Sequence, residues 1–178
     1  MTKIEEIVKK SVRDVLDFPK EGIVFKDIAP LLQMPEVSLA ILNALVENGK
    51  LQKPDVIVGI DSRGFLMGNA LAIQMGVPFV MARKKGKLPY DKISGSYDLE
   101  YDSAELEMHT DSINRGDRVL IHDDLLATGG TAECVSQLVK KLGGEVIGCT
   151  FIINLDFLQG RKKLENSGIK TSALATYI

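Results

Sequence analysis

The stretch RVLIHDDLLATGGTAECVSQLVKKLGG, Arg118 to Gly144, decides how the rest of the chain is read. Its first half is a continuous apolar run, the pattern of a strand buried on both faces of a sheet. Two adjacent acids, Asp123 and Asp124, close that run. The small-residue loop Ala127-Thr128-Gly129-Gly130-Thr131 follows, and then an amphipathic helix that ends in Gly143-Gly144. Glycines let backbone N–H groups come close to an anion, threonine hydroxyls add donors, and a helix N-terminus adds the positive end of its dipole. Acids at a strand end accept hydrogen bonds from a ribose diol. Phosphate on one side and sugar on the other point to a ribose-phosphate ligand. No Gly-Lys-Ser/Thr closes the loop, so it is not a Walker A loop, and the three-glycine dinucleotide fingerprint is missing as well.

Working outward, DVIVGIDSRGF and VPFVMARK read as further strands, with a helix over Leu66 to Gln74 between them. Glu145 to Leu155 and Lys170 to Tyr177 are two more strands, separated by a short helix over Phe157 to Asn166. Strands alternating with helices give an α/β fold, a mainly parallel sheet flanked by helices on both faces. Leu88 to Asp111 alternates apolar and polar residues, which predicts an antiparallel hairpin or flap. At the start, Ile4, Ile7, Val8, Val12, Val15 and Leu16 fall near helical spacing, ended by Pro19 and Gly22. GIVFKDIAPLL reads as a loop packed on the body, and Val37 to Glu47 as a helix stopped by Asn48-Gly49.

The chain has 178 residues, 45% of them hydrophobic and 26% charged, a composition expected of one soluble globular domain. A net charge of −2 argues against general nucleic-acid binding. MTKIEEIVKK lacks a signal-peptide core and no apolar run reaches the length of a membrane span, so a cytoplasmic location is expected. Cys134 and Cys149 read as small buried hydrophobes, and neither His109 nor His122 has a partner at metal-ligand spacing.

Ligands of open α/β sheets gather beyond the C-terminal ends of the strands. There the turn Asp61-Ser62-Arg63-Gly64 repeats the anion-facing pattern, with an arginine able to fork onto phosphate oxygens. Arg83-Lys84-Lys85-Gly86-Lys87 is the densest basic cluster and follows the next strand. Two phosphate-type loops and this cluster exceed what one monophosphate needs, and a polyphosphorylated ribose would use them. Glu100 and Tyr101 sit in the hairpin, where an acid and an aromatic hydroxyl can close over a substrate. By pattern alone, an exposed hairpin with alternating charge is the favoured reading of them.

Taken together these segments resemble the type I phosphoribosyltransferases, and within them the branch that takes adenine. VLIHDDLLATGGTA is similar to the phosphoribosyl-pyrophosphate motif of the family, and DFPKEGIVFKDIAPLL, GIDSRGFLMG, ARKKGKLP and SYDLEYDSAELEMH follow its order. The resemblance covers nearly the whole chain. It implies the type I phosphoribosyltransferase fold in one domain over 1–178, with a base-binding hood over 1–35 and a flexible flap over 88–111. It implies the reaction of adenine with phosphoribosyl pyrophosphate to AMP and pyrophosphate, dependent on Mg²⁺ carried by substrate phosphates and water, and a homodimer in the cytoplasm, apart from nucleic acid and membranes. Ala127 to Thr131 would then hold the 5′-phosphate, and Asp123 and Asp124 the ribose hydroxyls. Asp61, Ser62, Arg63, Lys84 and Tyr101 would hold the pyrophosphate, with a cis peptide at Asp61–Ser62. Val24, Phe25, Lys26 and Leu125 would form the adenine pocket. Lys26 stands where many members carry arginine, which keeps the charge and loses the planar fork. Glu100 would move the purine proton, and Asp123 would favour the cationic sugar. Other purine or pyrimidine phosphoribosyltransferases are the nearest alternative. A nucleic-acid-binding regulator of the same fold would need an added DNA-binding element and a more basic surface.

Overall fold

In the computed structural model, which describes residues 2–50, 52–98 and 103–178, a seven-stranded sheet runs through the molecule. The chain order is α1 (Lys3–Ser11), β1 (Arg13–Leu16), β2 (Val24–Asp27), α2 (Ala29–Leu32), α3 (Pro35–Lys50), β3 (Val56–Ile60), α4 (Gly64–Met75) and β4 (Phe79–Lys84). It continues with β5 (Lys92–Asp98), β6 (Ser103–His109), β7 (Arg118–Leu126), α5 (Gly130–Leu142), β8 (Glu145–Leu155), a 3-10 turn (Asp156–Leu158), α6 (Gly160–Asn166) and β9 (Thr171–Tyr177).

The sheet order is β5-β6-β4-β3-β7-β8-β9. The run from β4 to β9 is parallel, while β5 and β6 form an antiparallel hairpin. That hairpin joins the parallel sheet at the end of β4, where Arg83 and Lys84 pair with Glu107 and Leu106. The expected flap is therefore a continuation of the sheet on its β4 side.

Alternation along each central strand divides the core in two. Val56, Val58 and Ile60 of β3 pack with Val119 and Ile121 of β7 and Val135 and Leu138 of α5 on one face. Ile57 and Leu120 turn to the other face, against Ile41 and Leu45 of α3 and Leu71 of α4. Both faces are covered, which is why these strands read as unbroken apolar runs. Cys134 and Cys149 are buried free thiols, as expected.

Three readings need correction. The first helix stops at Ser11, and Val15 and Leu16 belong to β1, paired antiparallel with Phe25 and Val24 of β2. Two apolar residues at the end of a short helical pattern fit strand alternation equally well, and pairing with β2 decides it. GIVFKDIAPLL is consequently not a loop: it supplies β2 and the short α2. Helix α3 continues through Asn48-Gly49 to Lys50. Gly49 is a packing residue there, since a β-carbon on it would lie 2.9 Å from Met75 Sδ.

Candidate active site

β3 and β7 are parallel neighbours with Gly59 opposite His122, so the turns that leave their C-terminal ends are adjacent. Asp123 and Asp124 lie near the end of β7, with Asp123 opposite Phe151 of β8. Asp124 is buried, and its amide donates to Asp123 Oδ1 at 2.9 Å. Shielding from water raises both carboxyls above the ordinary carboxylate range, and the adjacent charge of Asp124 lifts Asp123 further. Arg63 opposes the rise at Asp124, bringing Nε to 3.1 Å from Oδ2. That contact is an ion pair without hydrogen-bond alignment, so Asp124 Oδ2 keeps an unused acceptor.

The sheet-end glycine Gly64 explains how the two turns come so close. A β-carbon on it would lie 2.8 Å from both Asp123 Oδ1 and His122 O. The Asp61–Ser62 peptide between β3 and α4 is cis, as the resemblance implies. Ser62 is exposed and Arg63 half-buried. Asp61 turns toward the neighbouring strand: its Oδ2 accepts from Arg83 Nε at 3.2 Å and from the Lys84 amide at 3.3 Å. This carboxylate thereby fixes the basic segment against the DSRG turn, with the exposed Lys84 side chain at its tip.

Past the acid pair, Ala127, Thr128, Gly129 and Thr131 line a cavity of about 70 Å³ together with Asp123, Leu125 and Phe151. Gly129 sits at φ +83°, which places it in the left-handed region just before α5. The first N–H groups of α5 have no carbonyl one turn back in the helix, so they are available to an anion. The volume suits a phosphate-sized group better than a nucleobase.

On the near side, the β1–β2 hairpin carries the residues expected to form the base pocket. The Phe25 ring stacks edge-on to Phe18 with centroids 5.2 Å apart, and the Arg63 guanidinium lies 5.2 Å from its centre. Val24 is exposed. Lys26 directs its ammonium to Asp14 Oδ1 at 2.7 Å and over the Tyr177 ring at 4.3 Å. Its charge therefore fastens the hairpin to β9. The expected Glu100 and Tyr101 lie outside the described residues.

The structure thus brings together Asp123, Asp124, the 127–131 loop, Arg63 and Phe25. Arg83, which the sequence places only within the basic cluster, joins them through Asp61, and Phe151, to which sequence reasoning assigns no role, joins them at the cavity. Arg83 stands in the basic run, yet nothing in its spacing separates it from its cationic neighbours; Phe151 faces the cavity through strand register alone.

Residues 32–172 match the family model described as the phosphoribosyl transferase domain. The chain is 54% identical over 158 residues to an adenine phosphoribosyltransferase of Flavobacterium johnsoniae, covering 89% of this chain and 93% of that one. Among solved structures, the adenine phosphoribosyltransferase of Rhodothermus marinus is 48% identical with a TM-score of 0.91 over 98% of both chains. The Saccharomyces cerevisiae enzyme, solved with adenine and an imino-altritol bisphosphate, is 36% identical with a TM-score of 0.91 over 98% of this chain and 99% of that one. The fold is that of these neighbours, a mostly parallel central sheet with helices on both faces.

Proposed function

This chain belongs to the adenine phosphoribosyltransferase family, and we propose that the site above carries out that family's reaction with the residue roles that follow. The protein transfers a phosphoribosyl group from phosphoribosyl pyrophosphate to adenine, giving AMP and pyrophosphate in purine salvage. The bond between ribose C1 and the pyrophosphate oxygen breaks with its electron pair going to pyrophosphate. N9 of adenine forms the new bond to C1, and the purine gives up one proton.

The 127–131 loop holds the 5′-phosphate through backbone N–H groups and the Thr128 and Thr131 hydroxyls. Asp123 and Asp124 accept hydrogen bonds from the ribose hydroxyls, and their charge favours the positive sugar as C1 loses its leaving group. Arg63, with Ser62 and Lys84, receives the negative charge developing on pyrophosphate, while Asp61 positions Arg83 and Lys84 beside it. Phe25 and Leu125 flank the adenine ring, with Val24 offering its backbone to the base edge. Tyr101 completes the pyrophosphate clamp, and Glu100 moves the purine proton.

The observation that supports this assignment most directly is the Arg63–Asp124 pair. It joins a leaving-group cation to a sugar-binding acid within one site, as a C1 substitution requires. A magnesium ion would arrive with the substrate, held by its phosphates and by water, since among the described residues no group of three or more His, Cys, Asp or Glu is placed to hold a metal. When bound it would neutralise pyrophosphate charge. We also assign the protein to the cytoplasm as a single-domain homodimer. In support, no described helix is long and apolar enough to cross a membrane, and Leu66 and Ile73 of α4 and Met81 of β4 are exposed apolar residues open to a second copy.

The test is a radiolabelled-base assay with phosphoribosyl pyrophosphate and Mg²⁺. Adenine should be converted much faster than hypoxanthine or guanine. Comparable turnover of a 6-oxopurine would overturn the base assignment.

A further inference from the structure

We infer that Gly160, the first residue of α6, is a positioning residue for the 5′-phosphate: it sets the backbone of the 127–129 segment by direct backbone-on-backbone packing. This rests on the reading that the 127–131 loop holds the phosphate.

A β-carbon on Gly160 would fall well inside contact distance of the Ala127 carbonyl oxygen, 2.8 Å from the Gly129 amide nitrogen and 2.9 Å from the Thr128 carbonyl carbon. All three are backbone atoms, so no side-chain rotation relieves the clash. The contact is reciprocal, since a β-carbon on Gly129 would lie 3.0 Å from the Gly160 carbonyl oxygen. Gly129 has a second reason to be glycine in its φ of +83°. Gly160 has no positive φ, so its missing side chain serves the contact rather than the conformation.

The chain reaches this point through a tight reversal. Gln159 sits at φ +59°, and both its amide and its side-chain nitrogen donate to the Asp156 carbonyl at 3.0 Å. The far end of α6 is tied to the helix that begins at the phosphate loop: Lys163 Nζ lies 2.9 Å from Glu133 Oε2, and Ser167 Oγ donates to Glu133 Oε1 at 3.1 Å. Leu164 is fully buried between these points. α6 therefore cannot slide away from the loop without breaking its own anchors. A methyl group at 160 must instead push the Gly129 amide by roughly 0.5 Å, the tolerance within which binding groups have to be held.

The experiment compares Gly160→Ala with Thr131→Ala, which removes a hydroxyl assigned to the phosphate directly. Gly160→Ala should raise KM for phosphoribosyl pyrophosphate at least tenfold while leaving kcat and the adenine KM within about threefold. An unchanged KM with a lowered Tm, or an equal rise for both substrates, would mean ordinary structural damage and overturn the inference. A rise for Thr131→Ala alone would overturn it while leaving the phosphate reading standing. No rise in either variant would remove both. Should Gly160→Ala not fold, amide exchange on the parent chain decides. Ribose 5-phosphate should then protect residues 156–162 together with 126–132, and protection confined to 126–132 would count against the inference.

Discussion

Replacing His122 with a side chain that does not titrate should remove one limb of the dependence of stability on pH. His122 is fully buried in β7, directly before the acid pair. Burial lowers its pKa from 6.5 to about 4, with the Thr150 backbone opposing only in part. As pH falls below 6.5 the unfolded chain takes up a proton that the native chain refuses until about 4. Stability is therefore lost as pH falls through that window, by roughly 3 kcal/mol in all at about 1.4 kcal/mol per pH unit. Between pH 7.5 and pH 5.0 the loss is about 2 kcal/mol.

Asp123 and Asp124 act with the opposite sign. Their carboxyls are raised in the native state, so the native chain keeps protons that the unfolded chain gives up, and stability rises as pH falls through the same region. The parent curve blends both trends, and a comparison with His122→Phe and His122→Asn separates them. Each variant has its own packing cost, so only the change of the difference with pH matters. Urea unfolding at fixed protein concentration should show the parent's advantage over either variant shrinking by about 2 kcal/mol from pH 7.5 to pH 5.0. Parallel curves would show that the imidazole takes up its proton equally readily in the native and unfolded chains, and would refute the reasoning.

Three further outcomes concern the reaction. Asp124→Asn should lower kcat/KM for phosphoribosyl pyrophosphate by about 10²-fold or more, since hydrogen bonds to a charged acceptor contribute about 1.5–3 kcal/mol each; steady-state kinetics on a variant with unchanged circular dichroism is the check. Phe25→Ala should raise the adenine KM by about tenfold, the loss of one aromatic contact of about 1.5 kcal/mol, with little effect on the KM of the sugar substrate. Glu100→Gln should lower kcat more than it raises KM, and an effect confined to KM would make Glu100 a binding residue only.

The parallel sheet was legible because β3, β7 and β8 carry apolar side chains on both faces, so their runs stand out from their surroundings. The Ala127–Thr131 loop was legible as a loop before a helix because its glycines and threonines are contiguous. The β1–β2 hairpin was not: Arg13–Leu16 and Val24–Asp27 become strands only by pairing with each other across a turn, and neither segment is long enough to show its period alone. The destination of Lys26 was equally hidden, because its partners Asp14 and Tyr177 belong to β1 and β9, the latter at the far end of the chain. Gly160 escaped notice for a related reason. A glycine at a helix start usually signals a turn, and only the close approach of residue 127 gives it another meaning.

The acid pair explains why these distant contacts matter to the chemistry. Two adjacent carboxyls shielded from water weaken the fold in the absence of substrate, since burial raises the cost of ionising both and the charge of Asp124 raises it further for Asp123. A chain selected for stability alone would not place them there. Their partner Arg63 is half-exposed, bringing Nε to Asp124 and its guanidinium over the Phe25 ring. The cation that moderates the acids in the resting site is thus the one assigned to the leaving group. Drawing Arg63 toward pyrophosphate would leave Asp124 less compensated at the moment the sugar becomes positive, and the cationic ribose would supply the missing charge. Gly64, by letting its turn touch Asp123, keeps these two functions within one rigid junction of β3 and β7.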